Sequence, residues 1–214
     1  MTYYVRTTSE RQLDTSFNQI SYNLIIDREH KPIDSFIDAL YLISNEDAVL
    51  MEDDIILCQN FEEEITKVIK QYPNRIINFF RFPSPMDTEE TEKIIYNQCT
   101  FYPKGIAKQI ADIMVALPRR TDSKKNMYSL LENEALIQLD QKVVQYVPHL
   151  VQHLDNDSIL FTVTLNIRRS NYFLDYVKEL GIDYAKDGLK GHTKELCQLK
   201  IEHFNQLQND SKGK

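Results

Sequence analysis

Residues Ala48-Val-Leu-Met-Glu-Asp-Asp-Ile-Ile-Leu57 run four apolar side chains straight into three carboxylates and then into three more apolar residues. An unbroken apolar run of this length reads as a strand buried on both faces, as in a parallel sheet covered by helices. A buried carboxylate without a partner loses its water at high cost. Glu52, Asp53 and Asp54 are therefore expected where the strand ends and the chain surfaces, or around a cation. The carboxyl ends of strands are where open α/β sheets bind their ligands. Clustered carboxylate oxygens suit hard divalent ions such as Mg²⁺ and Mn²⁺. The plainer reading is that the acids turn the chain and favour the N-terminus of a following helix.

Outward from this strand the chain alternates. Thr2 to Thr7 is β-rich and predicts a first strand. Thr7, Thr8 and Ser9 are candidate caps for a helix over about Ser9 to Ile20, with Leu13, Phe17 and Ile20 as its apolar stripe. Asn23 to Asp27 predicts a second strand, and Pro32 opens a helix whose Ile33, Phe36, Ile37, Leu40 and Tyr41 face inward. Beyond the acids, Asn60 is the expected cap of a helix over Phe61 to Gln71, with Glu62, Glu63 and Glu64 in its first turn. Arg75 to Phe80 predicts another strand. This βαβαβαβ rhythm is that of an α/β fold, a Rossmann-type, mostly parallel sheet flanked by helices.

Phe82 to Lys93, with two prolines and four acids, predicts a surface loop. A strand over Ile94 to Tyr102, a helix over Lys104 to Leu117, a helix over Met127 to Leu139 and a strand over Lys142 to Leu150 follow. From Arg168 the pattern is helical and amphipathic, so the expected division is a main α/β domain over 1–167 and a helical extension over 168–214.

At 214 residues the chain is long enough to bury a core without disulfides or a structural metal. Hydrophobic content of 42% and charged content of 27% are those of a globular protein. A net charge of −7 argues against a broad electrostatic grip on nucleic acid, while leaving room for a local basic groove. Cys58, Cys99 and Cys197 are odd in number and lack metal-type spacing, which predicts free thiols in a reducing compartment. With no basic-then-apolar start and no run long enough to span a bilayer, a cytoplasmic protein without membrane insertion is expected.

The segment Val147-Pro-His-Leu-Val-Gln-His153 sets polar residues after an apolar strand. A histidine there is commonly structural, yet imidazole joining carboxylates around a Mn²⁺-like ion is sound chemistry. Taken with Val49-Leu-Met-Glu-Asp-Asp-Ile-Ile-Leu-Cys-Gln-Asn-Phe61, the chain resembles the GT-A-type glycosyltransferases, small bacterial or phage-like members included. In that family an apolar strand ends in a DXD-like acid cluster, and a late Pro-x-Leu-Val-Gln-His element supplies a metal-site histidine. Phe101 to Ile110 is similar to the loop and helix that shape the acceptor side. Leu131-Glu-Asn-Glu-Ala-Leu-Ile137 sits where the family has an acidic pair near the acceptor. Val5-Arg-Thr-Thr-Ser-Glu-Arg11 is like the first strand–helix turn that meets the nucleotide. The order covers roughly residues 2 to 173, with Glu-Asp-Asp standing in place of Asp-x-Asp.

What the resemblance implies is a metal-dependent transferase moving a sugar from a nucleotide-sugar donor, a UDP-sugar by expectation, to a hydroxyl acceptor. The implied metal ligands for Mn²⁺ or Mg²⁺ are Asp54, Glu52 and His153. Arg6, Thr7, Arg11, Asp27, Asp53 and Arg169 are the implied donor-binding residues, with Glu134 and Glu132 as the candidate catalytic bases. Each arginine has an ordinary ion-paired alternative, and Asp27 an alternative as a turn acid. Relatives of this kind act on lipooligosaccharide, other surface glycans or hydroxymethylated DNA bases. The basic connection with Arg119, Arg120, Lys124 and Lys125 leans toward the DNA base as acceptor. The rival readings are a non-catalytic nucleotide-sugar-binding module and a phosphoryl-transfer or nuclease-type metal enzyme.

Overall fold

The first strand, β1 (Thr2–Thr7), pairs in parallel with two neighbours, β2 (Tyr22–Ile26) on one side and β3 (Ala48–Glu52) on the other. The structure, a computed structural model, describes residues 1–9, 11–81, 87–94, 96–119 and 128–153. In them the sheet continues through β7 (Cys99–Tyr102), β5 (Ile76–Asn78), β8 (Val143–Gln145) and β6 (Glu89–Thr91), in the order β2-β1-β3-β7-β5-β8-β6. Only β7 and β6 run against the others. The fold is α/β with a mixed sheet whose strands mostly share one direction. The two inversions fall after β5, where the alternating rhythm of the sequence breaks down.

Alternation along the strands explains the two cores. Tyr3, Val5, Val49, Met51, Ile77 and Phe101 face one layer, while Tyr4, Ala48, Leu50, Ile76 and Tyr102 face the other. The first layer is closed by helix α2 (Phe61–Gln71) through Phe61, Ile65 and Val68. The second is closed by α1 (Pro32–Leu42), α3 (Ile106–Ala116) and α4 (Tyr128–Gln138). Each large apolar side chain taken fully inside contributes roughly 1.5–3 kcal/mol.

Expectations for several segments need correction. Tyr41, expected to face inward from α1, is exposed, and its Oη donates to Asp112 at 3.1 Å. The described residues 11–20 form no long helix but a single 3-10 turn over Thr15–Gln19, capped by Asp14, whose carboxylate accepts from Ser16 N at 2.7 Å. Thr7, a candidate cap, is the last residue of β1 and its hydroxyl donates to Asp53. The turn serves its neighbours: Ser16 Oγ accepts from Leu57 N, and Gln19 Oε1 accepts from Phe61 N at 3.2 Å. Gln19 thus takes the capping role at α2 expected of Asn60, whose side chain makes no capping bond. Within the expected loop at 82–93, residues 89–91 pair with β8 as an edge strand. Two short strands outside the main sheet, β4 (Ile55–Leu57) and β9 (Val151–His153), pair antiparallel with each other. The expected extension over 168–214 lies outside the described residues, as do Arg120, Lys124, Lys125 and Cys197. Cys58 and Cys99 are free and buried.

Helix α4 is fastened by polar keys. Asn133 accepts from Ile94 N at 2.7 Å and donates to Ile94 O at 2.9 Å, closing both main-chain groups of a buried residue. Asn133→Ala removes both bonds and is expected to cost about 2 kcal/mol. A thermal melt checks this: the midpoint should fall by about 4–8 °C, and an unchanged midpoint would show that water replaces the amide.

Candidate functional site

Because β1, β2 and β3 are parallel, their carboxyl ends collect Arg6, Thr7, Asp27 and the run Glu52-Asp53-Asp54 at one edge of the sheet. Register sets Arg6 opposite Glu52. The N-termini of α1 and α4 reach the same edge, since Arg6 Nη1 donates to Pro32 O at 2.7 Å and Tyr128 Oη donates to Glu52 Oε1 at 2.9 Å.

Arg6 is the hub. Its Nη2 donates to Glu52 Oε1 at 2.8 Å and its Nε to Glu52 Oε2 at 3.3 Å. Its guanidinium lies over the rings of Tyr128 and Phe36, 4.4 and 5.1 Å from their centroids, and those rings stack on each other at 4.5 Å. Burial opposes the charged guanidinium, but Glu52 and Tyr128 outweigh it and hold Arg6 above its ordinary range. Burial pushes the Glu52 carboxyl up, with Asp54 adding to the effect against the pull of Arg6. Both Glu52 oxygens therefore face partners inside the protein, and Arg6, expected at the donor phosphates, is held in an internal pair.

The next two acids differ from Glu52. Asp53 is buried and accepts from Thr7 Oγ1 at 2.7 Å and from Arg11 Nη1 at 2.7 Å. The same Arg11 nitrogen lies 3.6 Å from Asp54 Oδ2, and the Asp54 side chain is 23% exposed. Asp54 is the most accessible carboxylate of the run. In β4, directly after Asp54, Ile55 is the pairing partner of His153 in β9. The tertiary structure thus sets the backbone of His153 beside the acid run. The His153 side chain is outside the described residues.

Asp27 makes an Asx-type turn, its Oδ1 accepting from Glu29 N at 3.2 Å and Lys31 N at 3.1 Å. Its main-chain N–H donates to Thr7 O, which fixes it at the same edge.

The two helix acids part company. Glu132 is fully buried and accepts from Tyr102 Oη at 2.5 Å and Asn97 Nδ2 at 2.7 Å. Burial raises its carboxyl to about 7, a rise those donors only partly offset. Such a group is an internal anchor of α4 on β7 and has no path to an acceptor. Glu134, by contrast, is exposed on α4. Arg169 lies outside the described residues.

Among the described residues, no three or more His, Cys, Asp or Glu side chains converge as a ready metal cage. The donors suited to a hard divalent ion are the carboxylates of Asp54 and Asp53. Ions of this class are commonly held by one or two carboxylates together with substrate phosphates and water. On donor chemistry the acid run fits such an ion.

Tyr128 and Phe36 were invisible as site residues in the sequence. Phe36 reads there as one more apolar position of α1, and Tyr128 as the first aromatic of a helix. Their pairing over Arg6 depends on two helix ends meeting at the strand edge.

No family model matches the sequence, and no curated protein matches it. Among solved structures, the chain is similar to the crystal structure of A197 from STIV, at 10% identity with a TM-score of 0.45. The match covers 73% of this chain and 87% of that one. Among the described residues no helix is long and apolar enough to cross a membrane.

Proposed function

We propose that this protein is a metal-dependent glycosyltransferase that takes a sugar from a nucleotide-sugar donor, a UDP-sugar by preference, to a hydroxyl acceptor. The observation that carries the reading is the pairing of Ile55 with His153, which draws a late histidine to the strand end bearing Asp54. The sequence resemblance to GT-A-type enzymes uses the same two elements for a metal.

Asp54, with Asp53 and His153, would hold Mn²⁺ or Mg²⁺. The bound ion would stabilise the charge that develops on a departing diphosphate. Glu52 is given a different task from the one expected of it. Locked to Arg6 and Tyr128, it fixes the end of β3 so that the two aspartates are presented at the sheet edge. Thr7 orients Asp53 through its hydroxyl. Asp27 and the loop after β1 border the edge where a nucleotide would lie. Glu134, the exposed acid of α4, is our candidate for deprotonating the acceptor hydroxyl. A hydroxymethylated DNA base and a surface glycan are the two acceptor classes we would assay. Arg119 of the basic connection is already paired with Asp34 at 2.5 Å, both side chains being half exposed.

The test is a thermal-shift screen of nucleotides and nucleotide sugars, with and without Mn²⁺, on wild type and Asp54→Ala. A ligand at a hundred times its dissociation constant stabilises the fold by about 2.7 kcal/mol, or about 5–10 °C here. A Mn²⁺-dependent shift with UDP or a UDP-sugar that disappears in Asp54→Ala is expected. Donor binding without turnover on any hydroxyl compound would favour the non-catalytic module. Nucleic-acid cleavage without a nucleotide sugar would favour the nuclease. No shift with any nucleotide would end the transferase reading.

A further inference from the structure

Arg11 occupies the position a cation would take. Its Nη1 is 2.7 Å from Asp53 Oδ1 and 3.6 Å from Asp54 Oδ2, so one nitrogen faces a carboxylate oxygen of each acid. Asp53 is buried, and a buried carboxylate needs a charged or hydrogen-bonded partner. Thr7 supplies one hydrogen bond, and Arg11 supplies the charge. Arg11 belongs to neither β1 nor the 3-10 turn, and its N–H makes a long bond of 3.4 Å to Thr8 O. Arg6 stays with Glu52, Pro32 and two aromatic rings.

We propose that Arg11 is the resident counter-cation of Asp53 and Asp54, given up when a divalent ion binds them. This rests on the metal-dependent reading above and adds a regulation to it. An ion taking the same two oxygens would meet the guanidinium at contact range, where like charges repel. Arg11 therefore has to swing out, and metal affinity is set by a competition inside the protein. The arrangement keeps the acid run partly neutralised without metal, and it sets a threshold concentration below which the site stays closed to the ion. Anything that draws Arg11 away, such as the diphosphate of a donor, tightens metal binding by the same factor as metal tightens the donor.

The experiment is a Mn²⁺ titration followed by electron paramagnetic resonance and calorimetry, on wild type, Arg11→Gln, Arg11→Lys and Asp54→Asn. Gln keeps a hydrogen bond but removes the charge, and its Mn²⁺ affinity is expected to rise about tenfold or more, whereas Lys stays near wild type. Asp54→Asn should lose binding. Without metal, Arg11→Gln should melt below wild type, with the gap closing as Mn²⁺ is added. If Arg11→Gln does not fold, Arg11→Lys still decides: its shorter, mobile ammonium holds the acids less well, so affinity equal to or above wild type is expected and a large loss overturns the exchange. Unchanged or weaker affinity in Arg11→Gln, with binding still lost in Asp54→Asn, overturns the exchange and leaves the metal site standing. No Mn²⁺ binding in any form overturns the metal reading and the exchange together.

Discussion

Arg6→Met is expected to be strongly destabilising, costing about 3–5 kcal/mol. Met preserves the length of the side chain but strands Glu52, whose two oxygens both accept from the guanidinium. It also leaves Pro32 O without its donor and removes the charge held over the Phe36 and Tyr128 rings. For a chain of this size the loss corresponds to about 6–20 °C in the melting midpoint. The decisive control is the double variant Arg6→Met, Glu52→Leu. Most of the cost of breaking a buried pair is the penalty on the partner left behind, so removing both charges should recover at least half of the loss. A double variant as unstable as the single one would mean that Arg6 acts through Pro32 and the aromatic rings and not through the ion pair.

The second large effect is a pH dependence that belongs to Glu132. Burial raises its carboxyl from the ordinary 4.5 to about 7. The folded state therefore holds a proton that the unfolded chain has released over that window. The stabilisation is fully present below about pH 4.5 and is lost as pH rises through about 7. At about 1.4 kcal/mol per unit, the loss is about 3 kcal/mol. Glu132→Gln cannot titrate at this position, and its unfolding free energy should decline less between pH 5 and 8 than that of wild type, the raised Glu52 carboxyl contributing with the same sign to both proteins. Urea denaturation at pH 5 and pH 8 measures both slopes, and equal slopes in the two proteins would overturn the assignment. The exposed acids do not confuse the result. Asp34 and Asp112, held below their ordinary values by hydrogen bonds from Arg119 and Lys108, titrate beneath this window and with the opposite sign.

The two effects bear on one helix. Tyr128 fastens the start of α4 to Glu52, Glu132 fastens its middle to Tyr102 and Asn97, and Asn133 grips Ile94. Apolar burial by Leu131, Ala135 and Leu136 gives α4 adhesion to the core, while the polar contacts fix its position. The end of α4 that meets the candidate site is thus located by groups whose charge state depends on pH.

The sequence by itself determined the local elements and the chemistry of the strand end. The strand Thr2 to Thr7 and the helix Phe61 to Gln71 are where composition and apolar spacing put them, because each buries a face whose period is written in consecutive residues. The three acids fall at the end of β3 because the apolar run before them cannot be interrupted by unpaired charge. In place of the helix expected over 9–20, a single turn capped by Asp14 is enough to bring Phe17 and Ile20 to the core.

Only the tertiary structure decided what each acid does. Glu52, Asp53 and Asp54 are consecutive and chemically alike. Strand register gave the first to Arg6, the turn after β1 gave the second to Thr7 and Arg11, and the last is the most open to solvent. Glu132 and Glu134 were equal candidates on paper, yet helix geometry buries one and exposes the other. The inversion of β7 and the pairing of Ile55 with His153 join segments far apart in the chain. Local periodicity cannot encode such pairings, because their free energy comes from a partner that only the folded chain brings near.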